Sequence, residues 1–197
     1  MNDFNSTYYW ENRYKENRFS GKGSYGKFAE YKADIINSYI VKYQIKDMID
    51  LGCGDGNQLS LFCCSNYTGY DVSTVVIQKC REMYKNDESK KFFALDKNTQ
   101  IKKADLCISC EVIFHLVEND VYKEHLHTLF NSSNKLVIIF SSNCNGGLPE
   151  PKHVKHRKFT DDVKKFVDWK QIKVLANPFI YPNESFSNFY IYEKGVK

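Results

Sequence analysis

No apolar run in this sequence approaches the roughly 20 residues that a membrane span requires; Leu136 to Phe140 is typical of what there is. The amino end, Met1-Asn2-Asp3-Phe4-Asn5, has neither a basic head nor an apolar core, so no export signal is read and a cytoplasmic protein is expected. Charge of one sign is scarce as well. Lys+Arg 28 against Asp+Glu 24 leaves a formal +4, well short of a chain built to coat nucleic acid. Internal repeats, low-complexity tracts and interdomain linkers are absent, and no Cys-x-x-Cys pair is followed by a second. Cys107 and Cys110 have that spacing once, but on an extended strand residues three apart face opposite sides, which makes a poor redox or zinc pair. Seven cysteines, an odd number, then read as free thiols in a reducing compartment. No metal is expected at His153 and His156, because no acidic ligand stands near that H-x-x-H.

What is present is globular. With 42% apolar and 26% charged residues over 197 positions, the chain can bury the core of one ordinary domain. Phe28, Tyr31, Ile35 and Tyr39, widened by Ile36, Ile40 and Tyr43, mark an amphipathic helix from Tyr25 to Tyr43. Asp47 to Leu51, Tyr67 to Tyr70, Phe92 to Leu95, Asp105 to Cys110 and Leu136 to Phe140 read as strands. Between them lie helices near Ser73, with Val76, Cys80 and Met83 on one face, and from Asp120, with Tyr122, Leu126, Leu129 and Phe130 inward. Strands alternating with helices, some apolar at every position, indicate a parallel sheet covered on both faces. After Pro151 the pattern changes. A basic loop leads to Thr160, an expected N-cap with Asp161 and Asp162 in the first turn. Two last strands, Gln171 to Ala176 and Ser187 to Glu193, complete the chain.

The most informative stretch is Asp50-Leu51-Gly52-Cys53-Gly54-Asp55-Gly56-Asn57-Gln58. Glycines at a strand end let backbone pass close to a ligand, and the helix expected after them would present unpaired N–H groups to it. A nicotinamide-dinucleotide fingerprint would need glycine where Asn57 stands. Asp71, ending the next strand, is placed to accept from both hydroxyls of a ribose.

These residues resemble the class I S-adenosylmethionine-dependent methyltransferases. The acidic-x-Gly-x-Gly-x-Gly run corresponds to Asp50 to Gly56 and the strand-end acid to Asp71 in Gly69 to Ser73. Asp96 corresponds to the position that meets the adenine amino group, and Ser109 to Leu116 to the segment lining the methyl-transfer site. Small stand-alone bacterial members also share Tyr9 to Tyr14, Ser24 to Gly26 and His153 to Thr160. The resemblance implies a doubly wound, Rossmann-like α/β/α fold with seven strands in the order 3-2-1-4-5-7-6, strand 7 antiparallel. It implies S-adenosylmethionine held by Asp50, Gly52, Cys53, Gly54, Asp55, Gly56, Asn57, Gln58, Asp71, Val72, Ser73, Asp96, Cys110 and Tyr25. Residues 1–24 are expected to form a cap or lid on a domain spanning 25–197, with Tyr8, Tyr9, Trp10, Arg13 and Tyr25 either covering the cofactor or strapped to the sheet.

For the chemistry, His115 is the candidate general base, because it comes just after the fourth strand at the edge where open α/β sheets bind ligands. Glu111 shares that edge as a partner for the cofactor's amino group or as an alternative base. His125 and His127, flanking the inward Leu126, read as solvated. Ser141, Asn143, His153, His156 and Arg157 are expected on the acceptor side, Arg157 or a histidine taking a phosphate or carboxylate. The leading reading is an enzyme that methylates an oxygen of a small acceptor, such as a sugar, sugar nucleotide or natural-product intermediate. Two alternatives stand beside it: an RNA or cap methyltransferase using the basic residues 152–158, and a non-catalytic cofactor-binding partner subunit. No membrane partner is expected, and either a monomer or a homodimer is.

Overall fold

Alternation of side chains along each strand decides how this chain layers itself. Residues 4–148, 150–180 and 185–195 are described by the structure, a computed structural model. Seven strands form one sheet: β1 (Asp47–Leu51), β2 (Asn66–Asp71), β3 (Lys90–Ala94), β4 (Ala104–Cys110), β5 (Ser133–Ser141), β6 (Trp169–Leu175) and β7 (Asn188–Lys194). Their order is β3-β2-β1-β4-β5-β7-β6. β1 pairs in parallel with β2 and β4, whereas β7 runs antiparallel to both β5 and β6. The implied order and the reversed strand are therefore both present.

Successive residues of the central strands enter two separate cores. Met48, Leu106, Ile108, Leu136 and Ile138 pack beneath α2 (Gly26–Lys42) and α3 (Thr74–Met83). Ile49, Cys107, Val137 and Ile139 pack beneath α4 (Asn119–Asn131) and α5 (Phe159–Val163). Cys107 is in the second core and Cys110 packs against the first, on opposite faces as strand geometry requires.

Several local expectations shift. The buried face of α2 is centred on Ala29, Lys32, Ala33, Ile36 and Ile40, and the Tyr31, Ile35 and Tyr39 stripe lies at its margin. In α3 the third inward residue is Ile77, and Met83 is 62% exposed. Thr160 does not cap α5. It stands inside the first turn, where its N–H is satisfied from outside the helix by Asn143 Oδ1 at 3.2 Å. The amino-terminal segment contains a further helix, α1 (Ser6–Lys15), capped by Asn5. Glu11 ties α1 to α3: its carboxylate accepts from Ser73 Oγ at 2.7 Å, Thr74 Oγ1 at 3.0 Å and the Val75 N–H at 3.5 Å. Of these, the Val75 N–H is a donor that the start of α3 leaves without an intrahelical acceptor.

Candidate active site

The chain leaves β1 through a bend that only glycine permits. Gly52 has φ +90° and Gly54 φ +57°; a Cβ on the first would collide with the Val112 side chain, and on the second with Ser20 Oγ. The amides of this bend are already engaged. Gly52 and Cys53 donate to Tyr70 O at 2.7 and 3.0 Å, Gly54 donates to Asp71 Oδ2 at 3.0 Å, and Asp55 donates to Ser20 Oγ at 2.9 Å. The next element is a single 3-10 turn, Gln58–Leu61, and not the helix with free N–H groups that the sequence suggested. Closing the bend occupies those donors, so it forms a shaped wall instead of a phosphate cradle.

Above the bend, at the carboxyl ends of β1, β2 and β4, lies a cavity of about 760 Å³. That volume is within the usual range for small-molecule sites, and the place is where this sheet switches direction. Asp50, Gly52, Cys53, Gly54 and Gln58 line it from the bend, Asp71 and Val72 from the end of β2, and Asp96 from beyond β3. Cys110, Glu111 and His115 come from the end of β4, Trp10 and Tyr14 from α1, and Lys32 from α2.

Five residues expected at the ligand stand behind the wall instead. Asp55 accepts from the Ser20 N–H and the Tyr25 hydroxyl, at 2.8 and 2.9 Å, and so fixes the 20–24 loop. Asn57 donates to Ser24 O at 2.7 Å, Gly56 O accepts from Tyr84 Oη at 2.9 Å, and Ser73 caps α3. Tyr25, with its hydroxyl on Asp55, is 38% exposed.

Two buried acceptors at the cavity wall lack donors. Asp50 accepts from Tyr67 Oη through Oδ2 at 2.9 Å while Oδ1 has no partner. Gln58 donates through Nε2 to Ala29 O at 2.8 Å, which fixes its amide orientation and leaves Oε1 unpaired. Burial pushes Asp50 up to about 7, against the opposing Tyr67 hydrogen bond and the Lys32 charge. Burial likewise raises Asp71 to about 6, although its two oxygens accept from the Ser73 and Gly54 N–H groups at 3.0 Å each. Nearby, Lys32 Nζ donates to Glu111 Oε2 at 3.0 Å, and Lys32 is 2% exposed. Glu111 holds φ +60°, a left-handed conformation rare outside glycine and the kind of strain found at functional sites. Its carboxylate is also packed so closely under Gly23 that any side chain there would collide with it. Lys32 is a site residue that the sequence motifs do not single out.

Aromatic and imidazole rings close the far side. His115 Nδ1 lies 2.9 Å from His153 O. Because a carbonyl only accepts, Nδ1 carries the proton and Nε2 is left as a base. Burial holds His115 down to about 4, so the ring is neutral around pH 7. The His153 ring stacks on His115 at 5.5 Å and on Tyr9 at 4.7 Å, and Trp10 meets His115 edge-on at 5.0 Å.

The other acceptor-side candidates point elsewhere. Arg157 donates to Leu116 O and Val117 O at 2.7 and 2.8 Å and covers the Tyr122 ring at 4.4 Å, so the guanidinium clamps the loop before α4. His156 is buried with Nδ1 2.7 Å from Ser142 Oγ, Asn143 holds Thr160, and Ser141 is fully buried. His125 is not solvated. It is buried at the cavity wall with Nε2 2.8 Å from Ser109 Oγ, and burial lowers it to about 4. His127 is exposed, as expected. Among the described residues no group of three or more His, Cys, Asp or Glu is arranged to hold a metal ion.

Comparison with known proteins agrees with this geometry. Residues 49–132, from β1 to the end of α4, match the family model described as a methyltransferase domain. The N-methyltransferase NodS of Bradyrhizobium japonicum WM9, in complex with S-adenosyl-L-homocysteine, superposes with a TM-score of 0.73 at 11% identity, over 96% of this chain and 99% of that one. Magnesium protoporphyrin IX methyltransferase of Synechocystis PCC 6803, with bound SAM, gives 0.70 at 14% identity over 98% of each chain. The methyltransferase domain of bacterial CtHen1 gives 0.67 at 20% identity, over 85% of this chain and 98% of that one. The fold is thus that of the class I methyltransferases. No curated protein matches the sequence.

Proposed function

We propose that this chain transfers a methyl group from S-adenosylmethionine to an oxygen of a small acceptor, in the class of sugars, sugar nucleotides and natural-product intermediates. The observation that carries the reading is the pair of buried, donor-less acceptors, Asp50 Oδ1 and Gln58 Oε1, on the wall of a cavity that also holds the Lys32 ammonium. Leaving such atoms unsatisfied costs about 1–3 kcal/mol each, so the site suits a ligand that brings donors there. The amino-acid part of the cofactor has an ammonium for these acceptors and a carboxylate suited to Lys32. Asp71, already braced by two N–H groups, keeps lone pairs for the ribose hydroxyls. Val72, Leu95 and Asp96 line the end suited to the adenine.

When bound, the cofactor supplies an electrophilic methyl on a sulfonium, so the protein needs no covalent nucleophile. Its task is to hold the acceptor in line and exclude water, which is worth about 7–11 kcal/mol in favourable cases. Trp10 and Tyr14 roof the cavity from α1. His115 Nε2 takes the proton of the acceptor hydroxyl, and His153 O keeps Nδ1 protonated and the ring in place. Glu111, steered by Lys32, stands at the same edge for the cofactor's ammonium.

A nucleic-acid acceptor is less well served. Within 152–158, Arg157 is turned onto carbonyls, Lys155 donates to Asn119 Oδ1 at 3.0 Å and Lys158 pairs with Asp161 at 3.5 Å, so three of its four Lys and Arg side chains are held by protein acceptors. Calorimetry and thermal melting with S-adenosylhomocysteine test the cofactor, and a pure, folded sample that shows neither heat nor a melting shift refutes it. Methyl transfer from labelled cofactor to sugar nucleotides, compared with RNA, tests the acceptor.

A further inference from the structure

We propose that the acceptor carries an anionic group, a phosphate or a carboxylate, and that Arg13 on α1 binds it at the rim of the cavity beside Trp10 and His153. The inference rests on the methyl-transfer reading for the identity of the cavity and adds the chemistry of its second occupant. Arg13 lies beside this rim, against the cavity-lining Trp10. Its Nε donates to Phe19 O at 2.9 Å and its Cζ lies 5.5 Å from the centre of the Trp10 ring. Among the described residues, neither Nη group has a carboxylate partner. The anchored Nε restrains the guanidinium next to the Trp10 ring and leaves its Nη fork without a carboxylate, and such a fork matches phosphate or carboxylate bidentately.

At His153 the neighbouring charges are both positive, whereas at His115 the Glu111 carboxylate opposes them. The charge of Arg13 is felt at both His115 and His153, and Arg18 adds to it at His153; together with burial they hold both imidazoles below the usual histidine value. Arg18 is itself exposed and only loosely paired, 3.7 Å from Glu16. By contrast, Lys155, Arg157 and Lys158 of the basic segment are held by protein acceptors.

Arg13 Cζ lies 5.5 Å and the His115 ring centre 5.0 Å from the centre of the Trp10 ring, so the guanidinium and the candidate base share one aromatic neighbour.

Imidazole proton resonances of the full chain, saturated with S-adenosylhomocysteine, are to be tracked during titration with inorganic phosphate and, separately, with acetate. Saturable shifts at His153 and His115 are expected, weakened at least tenfold in Arg13→Gln and partly retained in Arg13→Lys, while the melting shift given by S-adenosylhomocysteine is unchanged in both variants. Phosphate acting alone identifies a phosphorylated acceptor, and acetate acting alone a carboxylate. Response to neither anion, or equal response in Arg13→Gln, overturns the proposal. Absence of any melting shift with S-adenosylhomocysteine in the unaltered protein refutes instead the cofactor reading beneath it.

Discussion

Asp50 and Asp71 pay different penalties for the same burial, and both set a pH dependence. The two carboxyls are held up to about 7 and about 6. Between the ordinary carboxylate range and those values, the folded free protein keeps protons that the unfolded chain has released, so stability of the free protein falls as pH rises through that window. A cationic ligand at Asp50 favours the ionised carboxylate. Cofactor affinity should therefore climb from below pH 6 to above pH 7, with proton release visible by calorimetry in buffers of different ionisation heat; a flat profile would contradict the assignment. For His115, replacement by Asn should lower kcat by about 10²–10⁴-fold and leave S-adenosylhomocysteine binding nearly unchanged. Equal loss of both would make the ring a packing element. Since burial keeps His115 near 4, the rate profile of the unaltered enzyme should show no histidine inflection near 6.5.

At the scale of elements, α2 carries a lysine into the core and the turn after β4 meets it with a strained glutamate. Lys32→Met would strand the Glu111 carboxylate without its partner. Breaking a buried pair costs about 3–5 kcal/mol, and because Glu111 retains 23% exposure the loss in a denaturant melt should lie at or below the low end. Adding Glu111→Gln should restore part of the stability but not cofactor affinity. This pair was legible in part. Helical spacing sets 29, 32, 33, 36 and 40 on one face, yet the aromatic residues Tyr31 and Tyr39 pulled the apparent apolar centre to its edge. The same face argument applies to His125, which shares the inward side of α4 with Tyr122, Leu126 and Leu129. For Arg157 and His156 no periodicity exists to read: in a loop, a charged side chain's target is decided by tertiary carbonyls that spacing does not reveal.

For the molecule as a whole, the alternation of strand and helix with the Asp50 to Gly56 bend was enough to anticipate a covered parallel sheet and the edge where the cavity opens, whereas the strand order came from the resemblance to the class I methyltransferases. A cap from residues 1–24 was expected, but not the helix it contains or what holds that helix in place. α1 lacks a marked apolar stripe, and its position depends on Glu11 reaching across to Ser73 and Thr74. The connection from this roof to α2 contains Arg18 and Lys22, just past Lys15 at the end of α1, in a stretch of irregular chain and one short turn. Trypsin should nick that connection in the free protein and be slowed when S-adenosylhomocysteine fills the space below; equal digestion in both states would argue against a shared wall. Such a scission would spare the sheet and both flanking layers, so the clipped protein should still melt cooperatively while letting its nucleoside escape.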